Sequence, residues 1–508
     1  MRTFAYLMAA TAAFAQSPCA DLAKLQIPDL IVEEAVSKAA AGGLPDHCLV
    51  HGVIERRTGV DGRTYGIRFE LRLPVQWQGR FLFQGGGGMD GVVRPAVGPA
   101  SGADPTPGLA RGFAVASTDA GHPGSPNDPT FSRDQQARID NAYRSIDRVT
   151  AIAKSIIPAY YGRPWKRAYF DGCSNGGRQG LIAMQRLPML FDGIVSGAPA
   201  FRVTRAGIDS AWATIHLTRI APKDDAGKPI LSKAFSEGDL KLVGDAVLEA
   251  CDGLDGVKDG LVFSPCRYDP TPLTCKGSKT DACLSAAQVG ALNTIMAGPK
   301  NSQGKPLYSD WPYDPGIASP GWRMLKLGTS ATAESNAANI TLMLKGLTGY
   351  FMTPFDPGFD PMKFDFDRDP AKVEETAALQ DAEMTQVSSF LQHQGKLLLY
   401  HGMADPFFSA LDTERYFERL RRDNAAQGDF ARLFLVPGMT HCGGGPALDN
   451  FDALGAVVDW VERGKAPERL NATGKTFPGV SRPLCAFPKI PHYKGTGSKH
   501  DAGNFECR

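Results

Sequence analysis

The chain has 508 residues, 43% of them hydrophobic, and carries 55 Lys and Arg against 54 Asp and Glu for a formal net charge of +1. Such a balance argues against a protein built around a polyanion such as nucleic acid and gives no attraction to a membrane surface. The length suits one large domain with a substantial insertion better than a single simple core.

In chain order, residues 1–15 hold Arg2, a short apolar run and a small-x-small site at Ala13-Phe14-Ala15, which predicts a secretory signal peptide. No later segment has the length of a transmembrane helix, so a secreted or periplasmic protein with no membrane partner is expected. Ten cysteines fit an oxidising compartment. Short spacings suggest three local pairs, Cys251 with Cys266, Cys275 with Cys283, and Cys485 with Cys507. Pairing Cys19 with Cys48 would tie down the N-terminal segment and leave Cys173 and Cys442 as a long-range pair, although spacing alone leaves connectivity open.

Residues 67–73 alternate apolar and charged side chains, as a half-buried strand does. A second strand over 80–84 runs into Gly85-Gly86-Gly87-Gly88, which is either a plain loop or a place where backbone N–H groups approach a ligand. Residues 112–117 read as a buried strand and 133–161 as an amphipathic helix. A strand from 167 then feeds Gly172-Cys173-Ser174-Asn175-Gly176, and 193–199 is another buried strand. Strands alternating with helices predict an α/β fold with a mainly parallel sheet. From 201 to 383 that rhythm is lost and the chain becomes rich in Pro, Gly, Asp and aromatic residues, which predicts an inserted lid domain. The alternation resumes with strands over 395–402 and 432–438 and a helix over 449–462, followed by an irregular tail.

The pentapeptide at 172–176 is a G-x-S-x-G nucleophile elbow, in which Ser174 sits on a tight strand-to-helix turn that its glycines make possible. A Ser hydroxyl needs a base to take its proton and an acid to hold that base in the right tautomer. With this kind of elbow the order along the chain is Ser, acid, His. Asp405 follows the strand at 395–402 and His441 follows the next one, so they are assigned as orienting acid and general base. His401 is a rival base, but it lies four residues before the acid and reads as pocket lining. Asp171 and Asp412 are rival acids, less well placed because one precedes the elbow and the other falls in a helix. Cys173 adjoins Ser174 and Cys442 adjoins His441, so a bridge between them would hold nucleophile and base loops together; two reduced thiols, or a nucleophilic Cys173, are the alternatives. In the insertion, Asp252, Asp255 and Asp259 alternate with glycines at short intervals, a pattern that suits Ca²⁺ or a solvated acidic turn.

Gly172-Cys173-Ser174-Asn175-Gly176-Gly177, His401-Gly402 with Asp405-Pro406, and His441-Cys442 together resemble the linked Cys-Ser, Asp and His-Cys pattern of the tannase and feruloyl esterase family, which includes the mono(2-hydroxyethyl) terephthalate hydrolases. The resemblance extends over nearly the whole mature chain. It implies an α/β-hydrolase core in two parts, 16–200 and 384–508, with the substrate-binding lid at 201–383. It also implies the Cys173–Cys442 bridge and an oxyanion hole made by the N–H of Asn175 with one glycine of the run, Gly86 or Gly87. Trp322 and Phe408 would pack on a substrate ring. A structural Ca²⁺ would be held by Asp252, Asp255 and Asp259 with the carbonyls of Val257 and Leu261; no organic cofactor is implied. The terephthalate-monoester enzymes hold the free carboxylate with a lid Arg, and between Arg323 and Arg368 this chain has none.

The expected activity is therefore that of a secreted serine carboxylesterase acting on small aromatic esters, feruloyl, hydroxycinnamoyl or galloyl, free or attached to plant polysaccharide or polyphenol. Activity on a terephthalate monoester is the alternative. A catalytically silent binding protein on the same fold would show a broken triad, and a serine peptidase would cleave peptides and leave aryl esters untouched.

Overall fold

The computed structural model describes residues 16–98, 106–263, 266–356 and 358–508; the expected signal peptide at 1–15 lies outside them. The main sheet has nine strands: β1 (Leu30–Lys38), β2 (His47–Thr58), β3 (Thr64–Pro74), β4 (Arg80–Gln84), β5 (Phe113–Thr118), β6 (Arg167–Cys173), β7 (Gly193–Gly197), β8 (Lys396–Gly402) and β9 (Ala431–Val436). In space they run β1-β2-β3-β5-β4-β6-β7-β8-β9. The pairs β1/β2, β2/β3 and β3/β5 are antiparallel, and every neighbour from β5 to β9 is parallel. A parallel central sheet with helices packed on it and an antiparallel edge is an α/β-hydrolase architecture.

Because strand side chains alternate between faces, each central strand feeds two cores. Phe81 and Phe83 of β4, with Phe170, Leu397 and Leu399, pack on Ile146, Val149 and Ile156 of α1 (Ser145–Tyr161) and on Leu181 of α2 (Asn175–Arg186). Leu82, with Tyr169, Val195, Leu398 and Phe434, enters the opposite core. Each such apolar side chain contributes about 1.5–3 kcal/mol when fully buried, so the alternation fixes the register of the sheet.

Between β7 and β8 the chain leaves the sheet and builds helices α3 (Val203–Ile220), α4 (Glu237–Cys251), α5 (Ala286–Met296) and α6 (Pro320–Lys326). Two of these start on capping boxes: Ser236 and Ser285 accept from the N–H groups of Asp239 and Gln288, whose side chains accept the return bonds. The chain then re-enters the sheet, with α7 (Ala410–Asp423) after β8 and α8 (Ala453–Arg463) after β9. Leu454 and Val457 of α8 complete the second core.

All five cysteine pairs form as expected: Cys19–Cys48, Cys173–Cys442, Cys251–Cys266, Cys275–Cys283 and Cys485–Cys507. No helix among the described residues is long and apolar enough to cross a membrane.

Three features differ from the sequence expectation. Strands β1 and β2 add to the antiparallel edge. The expected helix over 133–161 is interrupted by a π-helical turn at Asp140–Arg144 before α1 begins. The tail is not irregular: β10 (Arg469–Thr473) pairs with β11 (Ser481–Cys485), and β12 (Pro491–Tyr493) with β13 (Phe505–Cys507).

Candidate active site

Ser174 stands between β6 and α2 with φ 65° and ψ −125°, a strained conformation for a residue with a side chain. The glycines permit it. A Cβ on Gly172 would come within 2.7 Å of the Gly176 carbonyl carbon, and one on Gly176 within 2.8 Å of Gly86 O. The turn is locked by the Ser174 N–H to Gly197 O at 3.0 Å and by Arg178 and Ala200 N–H groups, which both donate to Ser174 O at 3.0 Å.

The three residues expected to act together do meet. Ser174 Oγ lies 2.7 Å from His441 Nε2, and His441 Nδ1 lies 2.7 Å from Asp405 Oδ2. A carboxylate can only accept, so Nδ1–H donates to Asp405 and Nε2 is left to accept from the Ser174 hydroxyl. Asp405 is 3% exposed and its other oxygen accepts from the N–H groups of Phe407 at 2.8 Å and Phe408 at 3.2 Å. Burial pushes its carboxyl up, but attraction to His441 and hydrogen bonds from His401 and His441 outweigh that and hold it well below the usual carboxylate range. The Cys173–Cys442 bridge, with 6.0 Å between Cα atoms, joins the nucleophile turn to the His441 loop.

His401 is neither base nor pocket lining, which corrects the sequence reading. It is fully buried, donates from Nε2 to Phe408 O at 3.0 Å with Asp405 Oδ2 at 3.3 Å, and accepts at Nδ1 from Thr413 Oγ1 at 2.8 Å. It thus contacts Asp405 on the same oxygen as His441 Nδ1, while the Phe407 and Phe408 N–H groups take the other oxygen. The rival acids stay away from His441 as well: Asp412 pairs with Arg202 at 3.0 Å, and Asp171 lies on β6 ahead of the turn.

The glycine run after β4 lies against the elbow. Gly86, expected as one oxyanion donor, has its N–H engaged by Gln179 Oε1 at 2.9 Å, so the sequence assignment fails for this residue. Among the described residues the N–H groups of Gly87 and Asn175 have no acceptor. Asp90 ties the two sides together: it is buried and accepts from Gln179 Nε2 at 2.8 Å and from the Asn175 amide, whose oxygen accepts from Arg178 Nε at 2.7 Å. Nothing in the local sequence marks Asp90, Gln179 and Arg178 as one network, since they are joined only by the close approach of loop and helix.

Ser174 and Asn175 open on a pocket lined by Met89, Val203, Leu342, Met343, Phe351, Phe407 and Phe408, and among the described residues no charged side chain lines it. Phe408 lines this pocket, with its ring centroid 5.4 Å from that of His441. Phe407, at 5.2 Å, was missed, although its place directly after Asp405-Pro406 was a usable signal. Trp322 is not in this pocket: it is 6% exposed and packs with Leu292, Ile295 and Ile317 in the core of the insertion.

In the expected cation loop, Asp252 Oδ1 accepts from Gly260 N–H at 3.0 Å, Asp255 Oδ1 from Val257 N–H at 3.0 Å and Asp259 Oδ1 from Leu261 N–H at 3.2 Å, while Arg482 pairs with Asp259. Burial, with added repulsion from Asp259 and Asp252, pushes the Asp255 carboxyl up to about 6. Oxygen donors around a buried carboxyl suit a hard cation in kind. Among the described residues, however, no three His, Cys, Asp or Glu side chains are grouped so as to hold a metal ion.

Comparison with known proteins agrees with this architecture. The family profile described as tannase and feruloyl esterase matches residues 48–508. A mono(2-hydroxyethyl) terephthalate hydrolase of Piscinibacter sakaiensis is 42% identical, over 94% of this chain and 87% of that protein. A probable feruloyl esterase of Arthroderma benhamiae is 31% identical, over 86% of this chain and 81% of that protein. The crystal structure of feruloyl esterase B from Aspergillus oryzae superposes with a TM-score of 0.79 at 25% identity, covering 96% of this chain and 99% of the other. The chain thus belongs to the tannase and feruloyl esterase family and is a carboxylic ester hydrolase.

Proposed function

We propose that the protein is an exported serine esterase that cleaves uncharged esters of aromatic acids, feruloyl, other hydroxycinnamoyl or galloyl, through Ser174, His441 and Asp405. The observation that carries this reading is the unbroken hydrogen-bond chain from Asp405 to Ser174 opening on an apolar, aromatic-lined pocket. Ser174 Oγ attacks the ester carbonyl while His441 Nε2 takes its proton, and Asp405 stabilises the imidazolium that forms. The N–H groups of Asn175 and Gly87 receive the negative charge on the former carbonyl oxygen. As the tetrahedral adduct collapses, the alkoxide leaves with the proton from His441, and an acyl-Ser174 ester remains. Water, deprotonated by His441, then attacks that ester and frees the acid and Ser174.

Residues 201–383 act as the lid, contributing Val203, Leu342, Met343 and Phe351 to the pocket. The predicted signal peptide and five disulfides support export. In the loop at 252–261, the Ca²⁺ that the resemblance implies would need the side chains of Asp252, Asp255 and Asp259 to draw together beside the carbonyls of Val257 and Leu261, since they are not grouped for a metal as they stand, and no step of the reaction runs through it.

Cleavage of a terephthalate monoester is favoured by the relative at 42% identity. That substrate brings a free carboxylate, and among the described residues the pocket lining offers it no cation. Turnover of methyl ferulate, methyl gallate and mono(2-hydroxyethyl) terephthalate separates the readings: kcat/KM should be higher for one of the two methyl esters. A clear preference for the terephthalate monoester would overturn the uncharged-ester assignment.

A further inference from the structure

Residues 308–326 of the insertion touch both loops that carry Asp405 and His441, and they do so through residues outside the acyl pocket. Lys326, at the end of α6, is 5% exposed and donates from Nζ to the Pro406 carbonyl at 3.1 Å. Asp209 Oδ2 lies 3.4 Å from the same ammonium, and Asp209 Oδ1 accepts from Trp311 Nε1 at 3.1 Å. The Lys326 charge also sits over the Trp311 ring at 4.6 Å. Asp314 is 4% exposed; it accepts from Gly316 N–H at 2.7 Å and, across to the start of the His441 loop, from Gly438 N–H at 3.0 Å.

The backbones approach as closely as the side chains. A Cβ on Gly316 would lie 2.4 Å from Ala404 Cβ and 2.7 Å from Gly438 O, and one on Gly321 would lie 3.0 Å from Thr440 Oγ1. Ala404 and Thr440 directly precede Asp405 and His441 in the chain. Buried charges are costly, and apolar residues of similar volume often serve packing as well or better. Here the two buried charged groups end on main-chain atoms of the two loops that must be held in register.

We propose that Lys326 and Asp314 are positioning residues and that residues 308–326 form a strut fixing the Asp405 and His441 loops at the separation that closes the Ser174–His441–Asp405 chain. This rests on the triad reading above. It gives the insertion a second role beside lining the pocket: it sets the geometry of the acid and base.

The test compares Asp209→Asn/Lys326→Met, which removes the charges of the buried Lys326–Asp209 pair at nearly constant volume, and Asp314→Asn, which turns an amide NH₂ toward one of two N–H donors. Each is measured with methyl ferulate well below its melting temperature, beside wild type and Ser174→Ala. The expected result is a fall in kcat of about tenfold or more, since small displacements of reacting groups cost rate steeply. KM should stay within about twofold because the pocket wall is untouched. The low-field proton resonance of His441 Nδ1–H should also shift or broaden, a change that mere loss of stability would not produce. Wild-type kcat and an unchanged resonance in both variants, with Ser174→Ala inactive, would overturn the strut. An active Ser174→Ala would instead overturn the triad reading itself. If the double variant does not fold, Asp314→Asn and Gly321→Ala decide the matter by the same two readouts.

Discussion

Removing the Cys173–Cys442 bridge should cost both stability and rate. In the double variant Cys173→Ala/Cys442→Ala the nucleophile turn and the base loop lose their covalent link. The bridge spans 269 residues, and in the loop-entropy account its removal returns about 5–6 kcal/mol of freedom to the unfolded chain at 25 °C. The same account gives less for the other four bridges, which span 8 to 29 residues. The figure is an upper value, because a denatured chain already restricted by other crosslinks has less freedom to regain. Cys442 also holds a left-handed φ of 65° beside His441, so loss of the bridge frees a strained residue in contact with the base. Urea unfolding followed by tryptophan fluorescence would read the stability, and methyl ferulate turnover at low urea would read the rate. A loss of several kcal/mol with a fall in kcat of about a hundredfold is expected. A loss below about 1 kcal/mol with unchanged kcat would refute the reasoning, showing that the loops hold their spacing without the bridge.

Further outcomes follow from other parts of the molecule. Burial pushes the Asp381 carboxyl, which accepts from the N–H and hydroxyl of Thr204 at the start of α3, up to about 7 from an ordinary value of 3.8. Its folded value is raised, so its contribution is fully present below pH 4 and is lost as pH rises through 7, a change of order 4 kcal/mol. Asp381→Asn should thus be more stable than wild type at pH 8 and converge on it near pH 4 in urea unfolding; an equal offset at both pH values would contradict the sign. Phe408→Leu should raise KM for methyl ferulate several-fold while Trp322→Phe leaves it unchanged, because only Phe408 lines the pocket; the reverse pattern would restore Trp322 to the substrate. Chelation with EGTA should lower the melting temperature if the loop at 252–261 holds Ca²⁺, and an unchanged temperature with no calcium by elemental analysis would remove the ion.

The parts of the site that were legible in the sequence are those fixed by short-range rules. Ser174 is marked by flanking glycines that only a tight turn requires, and Asp405 and His441 each follow a buried apolar strand, β8 and β9, at the end where loops gather. Cysteine pairing was legible because four of the five bridges are local and the fifth adjoins two residues already marked. What escaped was decided by long-range contact. The direction of the Gly86 N–H depends on Gln179, 93 residues away, and the burial of His401 depends on Thr413 and the turn back to Phe408. Trp322 reads as an aromatic on a lid, yet its fate is set by the packing of α5 and α6 within the insertion. The strand β1 was missed because Glu33 and Glu34 break its alternation and it is the exposed edge of the sheet, where one face need not be apolar.

The central claim is that Ser174 carries the acyl group between the two halves of the reaction. Acid-quenching the enzyme during turnover of methyl ferulate and mapping the adduct by mass spectrometry tests it directly. A single feruloyl group on the peptide containing Ser174, absent from Ser174→Ala, is the predicted result. An adduct on another residue, or turnover by Ser174→Ala at the wild-type rate, would contradict it.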